Sequence, residues 1–195
     1  MANKYRNVYC GEVNKEHVGK EIRLAGWVEN VRDLGGLLFI SLRDERGIVQ
    51  LISNDVEKYS KLNRECTVTV LGIVKNSTED MINKNMKTGE IEVEIKELEV
   101  LGDVFKTLPF EVITSKTSSE ETRLKYRYLD LRNKEVHDGI VFRTKVLDFI
   151  RKTMKEMNFT EIQTPILTAS SPEGARDFIV PSRKFKGRFY ALPQA

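Results

Sequence analysis

The chemistry-bearing side chains of this 195-residue chain point to binding rather than to a self-contained catalytic centre. The run Arg123-Leu124-Lys125-Tyr126-Arg127-Tyr128-Leu129-Asp130-Leu131-Arg132 interleaves basic and aromatic residues. Cations meet phosphates and rings stack on bases, so such a run suits an RNA-facing patch. It also suits a short amphipathic helix docking two domains, and both readings stand. His17 and His137 are isolated, without the spacing of a metal-ligand set, and read as surface residues. No Ser-His-Asp or Cys-His arrangement and no phosphate-cradling GxxxxGK is readable. Cys10 and Cys66 are too few for a disulfide framework and form no CxxC pair. They read as small buried hydrophobes in a reducing cytoplasm.

Short β-strands must position the first hundred residues. Ile22 to Val28, Leu37 to Asp44, Ile48 to Ile52, Cys66 to Val74, and Ile91 to Ile95 extended through Leu101 are rich in strand formers. Asp33-Leu34-Gly35-Gly36 and Glu45-Arg46-Gly47 are turn signals. A helix is expected over Asp55 to Leu62, capped by Asn54 or Asp55. Five strands with a helix between the third and fourth is the order of an OB-fold barrel. An SH3-like barrel gives a similar strand pattern without that helix. Asn76 to Glu90 is a polar loop flanking the face where an OB-fold binds its ligand.

Residues 106–133 read as a connector. Thr117-Ser118-Ser119-Glu120-Glu121 is a capped helix start. Phe142, Val146, Phe149, Ile150, Met154 and Met157 recur at helical spacing, predicting one helix from Val136 to Met157 ended at Asn158. The stripe is either core or a subunit interface. Thr160 to Leu167 is expected to be extended, with Pro165 at an edge or bend.

The charge is uneven. Residues 1–105 carry 15 Lys+Arg against 18 Asp+Glu, a net of −3, and residues 106–195 carry 17 against 11, a net of +6. RNA binding by the first part therefore needs a local patch and base stacking rather than a general basic field. No run of eighteen apolar residues occurs, and the first ten residues lack the apolar core of a signal peptide, so a cytoplasmic protein without a membrane partner is expected.

The helix followed by a strand ending in Pro165 resembles motif 1 of class II aminoacyl-tRNA synthetases. Ser171-Pro172-Glu173-Gly174-Ala175-Arg176-Asp177-Phe178, Val180-Pro181-Ser182-Arg183 and Phe189-Tyr190-Ala191-Leu192-Pro193-Gln194 narrow the resemblance to aspartyl-tRNA synthetases. Tyr9-Cys10-Gly11, Gly26-Trp27-Val28, Arg43-Asp44 with Gly47-Ile48-Val49-Gln50, Thr88-Gly89-Glu90-Ile91-Glu92-Val93 and Arg123 to Arg132 follow the bacterial form. Lysyl- and asparaginyl-tRNA synthetases share the layout but fit Pro-Glu-Gly-Ala-Arg-Asp less well.

The resemblance implies an OB-fold anticodon-binding domain over 1–105, a hinge over 106–133, and over 134–195 the start of an incomplete α+β catalytic domain. It implies tRNA-Asp, and through Met81 also tRNA-Asn, as partner. Phe39 matches the ring stacked under the central anticodon base, although strand alternation equally allows it in the barrel core. Gln50 matches the reader of the central uracil, Arg32 a contact to the anticodon loop, Glu92 the reader of the first base, and Asn83 a residue of the loop near the third. Met81 stands where some relatives carry asparagine, making it a candidate for relaxed selectivity. Lys75 and Ser77 replace frequent arginines, which implies fewer bidentate phosphate contacts. Glu173 and Gly174 match the lid over bound aspartate, Gln194 leads to the aspartate pocket, and Pro165 belongs to the homodimer interface.

ATP and Mg²⁺ are implied for the full-length enzyme, but the groups that hold them would lie beyond Ala195. These residues alone are therefore expected to bind neither and to show no ligase activity. The reading from another class is a free-standing OB-fold module that binds tRNA or single strands.

Overall fold

The computed structural model describes residues 3–170 and 177–192. It divides into two compact units, Met1–Leu108 and Pro109–Ala195.

In the first unit β1 (Glu21–Leu34), β2 (Leu37–Asp44), β3 (Gly47–Ser53), β4 (Thr67–Asn76) and β5 (Ile91–Gly102) close into a barrel of order β1-β2-β3-β5-β4. All pairs are antiparallel except β3 with β5. Strand alternation sends every second residue inward. Leu24, Leu38, Ile40, Leu42, Val49, Leu51, Val68, Val70, Val74 and Val93 are fully buried in one core. The β1–β2 connection is the pair Gly35-Gly36, with φ of +67° and +94°. Both central residues of such a hairpin turn need left-handed backbone, which glycine adopts without a Cβ clash.

The helix between β3 and β4 is α1 (Val56–Tyr59), shorter than expected. Asp55 caps it by accepting from the Lys58 N–H at 3.2 Å. Beyond Tyr59 the chain turns toward Glu65, whose φ of +64° is incompatible with continuing a helix.

In the second unit α2 (Glu120–Lys125) is capped by Ser119, α3 (Arg127–Asp130) follows directly, and α4 runs Lys134–Glu156. The start of α4 is fixed by Asn133, whose Oδ1 accepts from Glu135 N at 3.0 Å and Val136 N at 3.3 Å. Asn158, at φ +64°, ends it in the left-handed conformation expected of a C-terminal cap. No residue of α4 is buried; Phe142 and Phe149 are 68% and 69% exposed, so the stripe is not core among the described residues.

The expected strand from Thr160 to Leu167 is not formed, and Pro165 lies in exposed irregular chain. A strand needs a partner, and only Thr168 finds one, exchanging two backbone hydrogen bonds with Ala191. Pro165 has no N–H to extend that pairing. The remaining sheet is the hairpin β6 (Phe178–Pro181) with β7 (Phe189–Leu192).

Candidate nucleic-acid interface

Strand register assembles one face of the barrel. Phe39 on β2 pairs with Arg32 on β1 and Ile52 on β3, and Ile52 pairs with Glu94 on β5. The next row holds Asn30, Ser41 and Gln50. Leu38 and Ile40 point into the core on either side of Phe39, so Phe39 faces outward. Its side chain is nevertheless covered, only 8% exposed. Phe39 is thus covered without belonging to the interior cluster.

Arg32 reaches this face through a β-bulge. Val28 pairs with Leu42 and Asn30 with Ser41, so β1 advances two residues while β2 advances one. Without the extra residue, strict alternation from the buried Val28 would turn Arg32 into the barrel. With it, Val31 packs on the core and the exposed Arg32 stands beside Phe39. The sequence shows no marker of this bulge except that Val28 and Val31 are three apart.

Gln50 and Glu92 are joined directly, Gln50 Nε2 donating to Glu92 Oε1 at 2.9 Å. Burial pushes the Glu92 carboxyl above its ordinary range, and the Gln50 hydrogen bond offsets part of that. Lys75, opposite Glu92 in the register, turns instead to Glu94 at 2.8 Å. Gln50 keeps its amide oxygen and Glu92 its second oxygen to meet a base edge, which needs donors and acceptors in one plane. The structure thus brings Arg32, Phe39, Gln50 and Glu92 onto one face.

Asn83 and Met81 lie apart from that face, in the β4–β5 loop. The loop is more ordered than its polar composition suggests. A 3-10 turn covers Glu79–Met81, Ser77 N donates to Glu90 O at 3.0 Å, and Thr88 Oγ1 donates to Ile48 O at 2.6 Å, two residues from Gln50. A Cβ on Gly89 would come within 2.0 Å of the Asn83 carbonyl oxygen, so only glycine lets the loop fold this tightly. The Asn83 side-chain oxygen accepts from Asn85 N at 3.0 Å, and Met81 is 45% exposed.

Arg43 and Asp44, part of the bacterial-form match, anchor two polar clusters whose partners the sequence does not show. Arg43 bonds Glu29 at 3.1 Å and Glu65, and its guanidinium lies 5.5 Å from the Trp27 ring centre. Asp44 binds three backbone N–H groups, of Cys10, Arg46 and Gly47. These contacts join residues up to 34 apart, which no local pattern announces.

The basic and aromatic run at Arg123 to Arg132 is resolved as a hub. Asp130, fully buried, accepts from Ser115 Oγ at 2.8 Å, from Arg123 Nε and Nη2 at 3.0 and 3.2 Å, and from Arg127. Burial raises the Asp130 carboxyl, but these hydrogen bonds and charges outweigh it and hold the group below its ordinary value. Arg123 and Arg127 thus each hold an ion pair within the unit, with the Arg127 side chain still 40% exposed. Glu173, Gly174 and Gln194 lie outside the described residues. Among the described residues no group of three or more His, Cys, Asp or Glu is placed to hold a metal ion. No described helix is long and apolar enough to cross a membrane.

Residues 22–101 match the family described as OB-fold nucleic acid binding domain, and residues 119–195 match tRNA synthetases class II (D, K and N). The chain is 51% identical over 197 residues to an aspartate–tRNA ligase of Streptomyces coelicolor, covering 99% of this chain and 33% of that protein. It is 50% identical over 195 residues to an aspartate–tRNA(Asp/Asn) ligase of Dinoroseobacter shibae, covering 98% of this chain and 33% of that one. It thus spans about a third of the length of the curated relatives it matches. Among solved structures, asparaginyl-tRNA synthetase from Pyrococcus horikoshii with asparaginyl-adenylate matches with a TM-score of 0.79 at 30% identity, over 96% of this chain and 42% of that one.

Proposed function

The chain belongs to the aspartate–tRNA ligase family, as the counterpart of the N-terminal third of its members, and on that premise we propose that its barrel reads the anticodon of an aspartate-accepting tRNA. The observation that carries this reading is the joined pair Gln50–Glu92 beside the Arg32–Phe39 row on one outer face. A single-stranded base is held by stacking and identified by hydrogen bonds to its edge. Phe39 supplies the ring once its neighbours part, and Gln50 supplies a donor and an acceptor for a uracil. Glu92 accepts from the ring and amino N–H groups of a guanine. Arg32 offers a planar fork to phosphate or base.

In the whole protein this domain would select the tRNA to which aspartate, activated by ATP with Mg²⁺, is transferred, with Glu173, Gly174 and Gln194 on the aspartate side. Motif 1, with Pro165, would contribute to a homodimer. Met81 lacks the hydrogen bonds of an asparagine, so the third anticodon base is weakly discriminated and tRNA-Asn is accepted as well. The aspartate–tRNA(Asp/Asn) ligases among the relatives support that reading.

The test is binding to anticodon stem-loops carrying GUC, GUU and an unrelated triplet at one salt concentration. Phe39→Ala should cost about 1–3 kcal/mol on the GUC loop, the value of one base stack. Equal wild-type affinity for all three loops would refute anticodon reading by this face.

A further inference from the structure

At one end of the barrel two guanidiniums converge on a single aromatic ring. The Arg6 guanidinium carbon lies 3.9 Å from the centre of the Tyr9 ring, and that of Arg46 lies 5.4 Å from it. Two like charges at one ring repel each other, and an exposed cation–π contact returns only about 0.5–1 kcal/mol. The nearby carboxylate of Asp44 is engaged elsewhere: Oδ2 accepts from Cys10 N at 2.7 Å, and Oδ1 from Arg46 N and Gly47 N at 2.8 and 3.1 Å.

Arg46 has a 3.7 Å ion pair with Glu45, in which both side chains are more than half exposed. Such surface pairs contribute about 0–1 kcal/mol and exchange readily for a better anion. Arg6 makes no side-chain hydrogen bond or ion pair among the described residues, and its Nε is a buried donor without a partner.

The backbone fixes this arrangement. A Cβ on Gly11 would lie 2.0 Å from the Arg46 carbonyl oxygen, so the hairpin tip is pressed against the segment that carries Arg6 and Tyr9. Arg46 precedes Gln50 by four residues, roughly 13 Å of extended chain. Thr88 of the β4–β5 loop bonds Ile48 between them. The pair of guanidiniums therefore flanks the loop end of the base-reading face. It offers planar N–H donors and positive charge, the chemistry that recognises a phosphodiester.

We propose that Arg6, Tyr9 and Arg46 form a phosphate clamp for the RNA strand where it passes the β2–β3 hairpin, a contact that positions the backbone and reads no base. The clamp rests on the RNA-binding reading above. It adds a cationic site to a unit whose overall charge is negative.

The test is the salt dependence of anticodon stem-loop binding by the full chain, with Arg46→Gln and Arg46→Lys. The Arg46 side chain is exposed, and its N–H holds the hairpin in either variant. A lost phosphate contact lowers the slope of log K against log salt by about 0.7–0.9. Arg46→Gln should show that decrease, with affinity reduced by the same factor on GUC, GUU and unrelated loops, while Arg46→Lys keeps most of the slope. Arg6→Gln should repeat the Arg46→Gln result.

Unchanged slopes in both glutamine variants, with wild-type binding intact, would overturn the clamp and leave anticodon reading standing. A loss confined to GUC would make the pair a base reader and overturn it too. Absence of wild-type binding to any loop would remove both readings. Inorganic phosphate added at constant ionic strength should not compete. Competition that disappears in Arg46→Gln would identify a site for the free anion and overturn the assignment to RNA backbone.

Discussion

The two compact units are ordered by different forces. In Met1–Leu108 the alternation of five strands buries one continuous apolar core, and the outward residues inherit their places from the register. In Pro109–Ala195 the longest element buries nothing, and the local order around α2 and α3 comes from one carboxylate binding a serine and two arginines. The first arrangement fixes side chains by non-directional burial over many contacts. The second depends on a few directional bonds that act as one network. A binding face therefore has a rigid support in the barrel, whereas the hub holds one short stretch of chain.

The sharpest way to break that contrast is inside the barrel, at adjacent residues of β2 that face opposite ways. Leu38→Ala removes a fully buried side chain and should destabilise the barrel by about 2–5 kcal/mol in urea melts. RNA selectivity of the folded fraction should be unchanged, the reverse of the pattern expected of Phe39→Ala. If Leu38→Ala altered the GUC preference as strongly as it altered stability, core and face would not be separable.

The corresponding change in the second unit is Asp130→Asn. It keeps the shape but leaves two guanidiniums without their counter-charge, costing about 3 kcal/mol locally. Hydrogen exchange should rise across α2, α3 and the start of α4 while β1 to β5 stay protected. Acid should mimic the substitution. The folded-state Asp130 carboxyl titrates below its unfolded value, so its stabilisation is present above the unfolded pKa and is lost as pH falls through the folded one. Uniform loss of protection in both units would mean that the hub is not local.

Legibility in the sequence follows the same division. Strands with alternating or continuous apolar residues, such as Thr67–Asn76, show plainly because their period is set by the core they line. The outward side of Glu92 follows from that alternation, whereas the barrel order rests on pairing between strands far apart in sequence. The bulge that turns Arg32 outward does not show, because an inserted residue looks like ordinary sequence until the partner strand is known. The same holds for the Asp130 hub: no local pattern shows that a buried carboxylate pairs with Arg123 and Arg127. The apolar stripe of α4 was readable, but periodicity cannot say what covers it. Thr160 to Leu167 has strand-like residues, yet a strand is a property of two segments.

Glu92 offers a finer test, since burial and recognition oppose each other there. Its folded-state carboxyl lies above the ordinary value, so the folded protein binds that proton more tightly than the unfolded chain does. Stability should therefore rise modestly as pH falls through that range. Glu92→Gln should flatten the trend and raise the melting temperature slightly at neutral pH. Binding to GUC should move the other way, weakening in acid for the wild type. Glu92→Gln should bind GUC less tightly at neutral pH by about 1.5–3 kcal/mol, the value of hydrogen bonds to a charged group. A wild-type affinity that does not change with pH would remove Glu92 from base reading.

The smallest expected effect is at Met81, and it asks whether the loop shares the precision of the face. The loop is tied at its base by Thr88 and Gly89, but Met81 sits exposed on a 3-10 turn beyond those ties. A contact made from there is adjustable by one substitution without disturbing the register that holds Phe39 and Gln50. The wild type should bind GUC and GUU loops with similar affinity. Met81→Asn should restore a preference for GUC by about 0.5–1.5 kcal/mol, one neutral hydrogen bond, with no change in melting temperature. A wild type that already prefers GUC strongly would locate discrimination elsewhere in the loop, with Asn83 the next residue to change. A variant that gained GUU affinity instead would mean that Met81 excludes rather than ignores the third base.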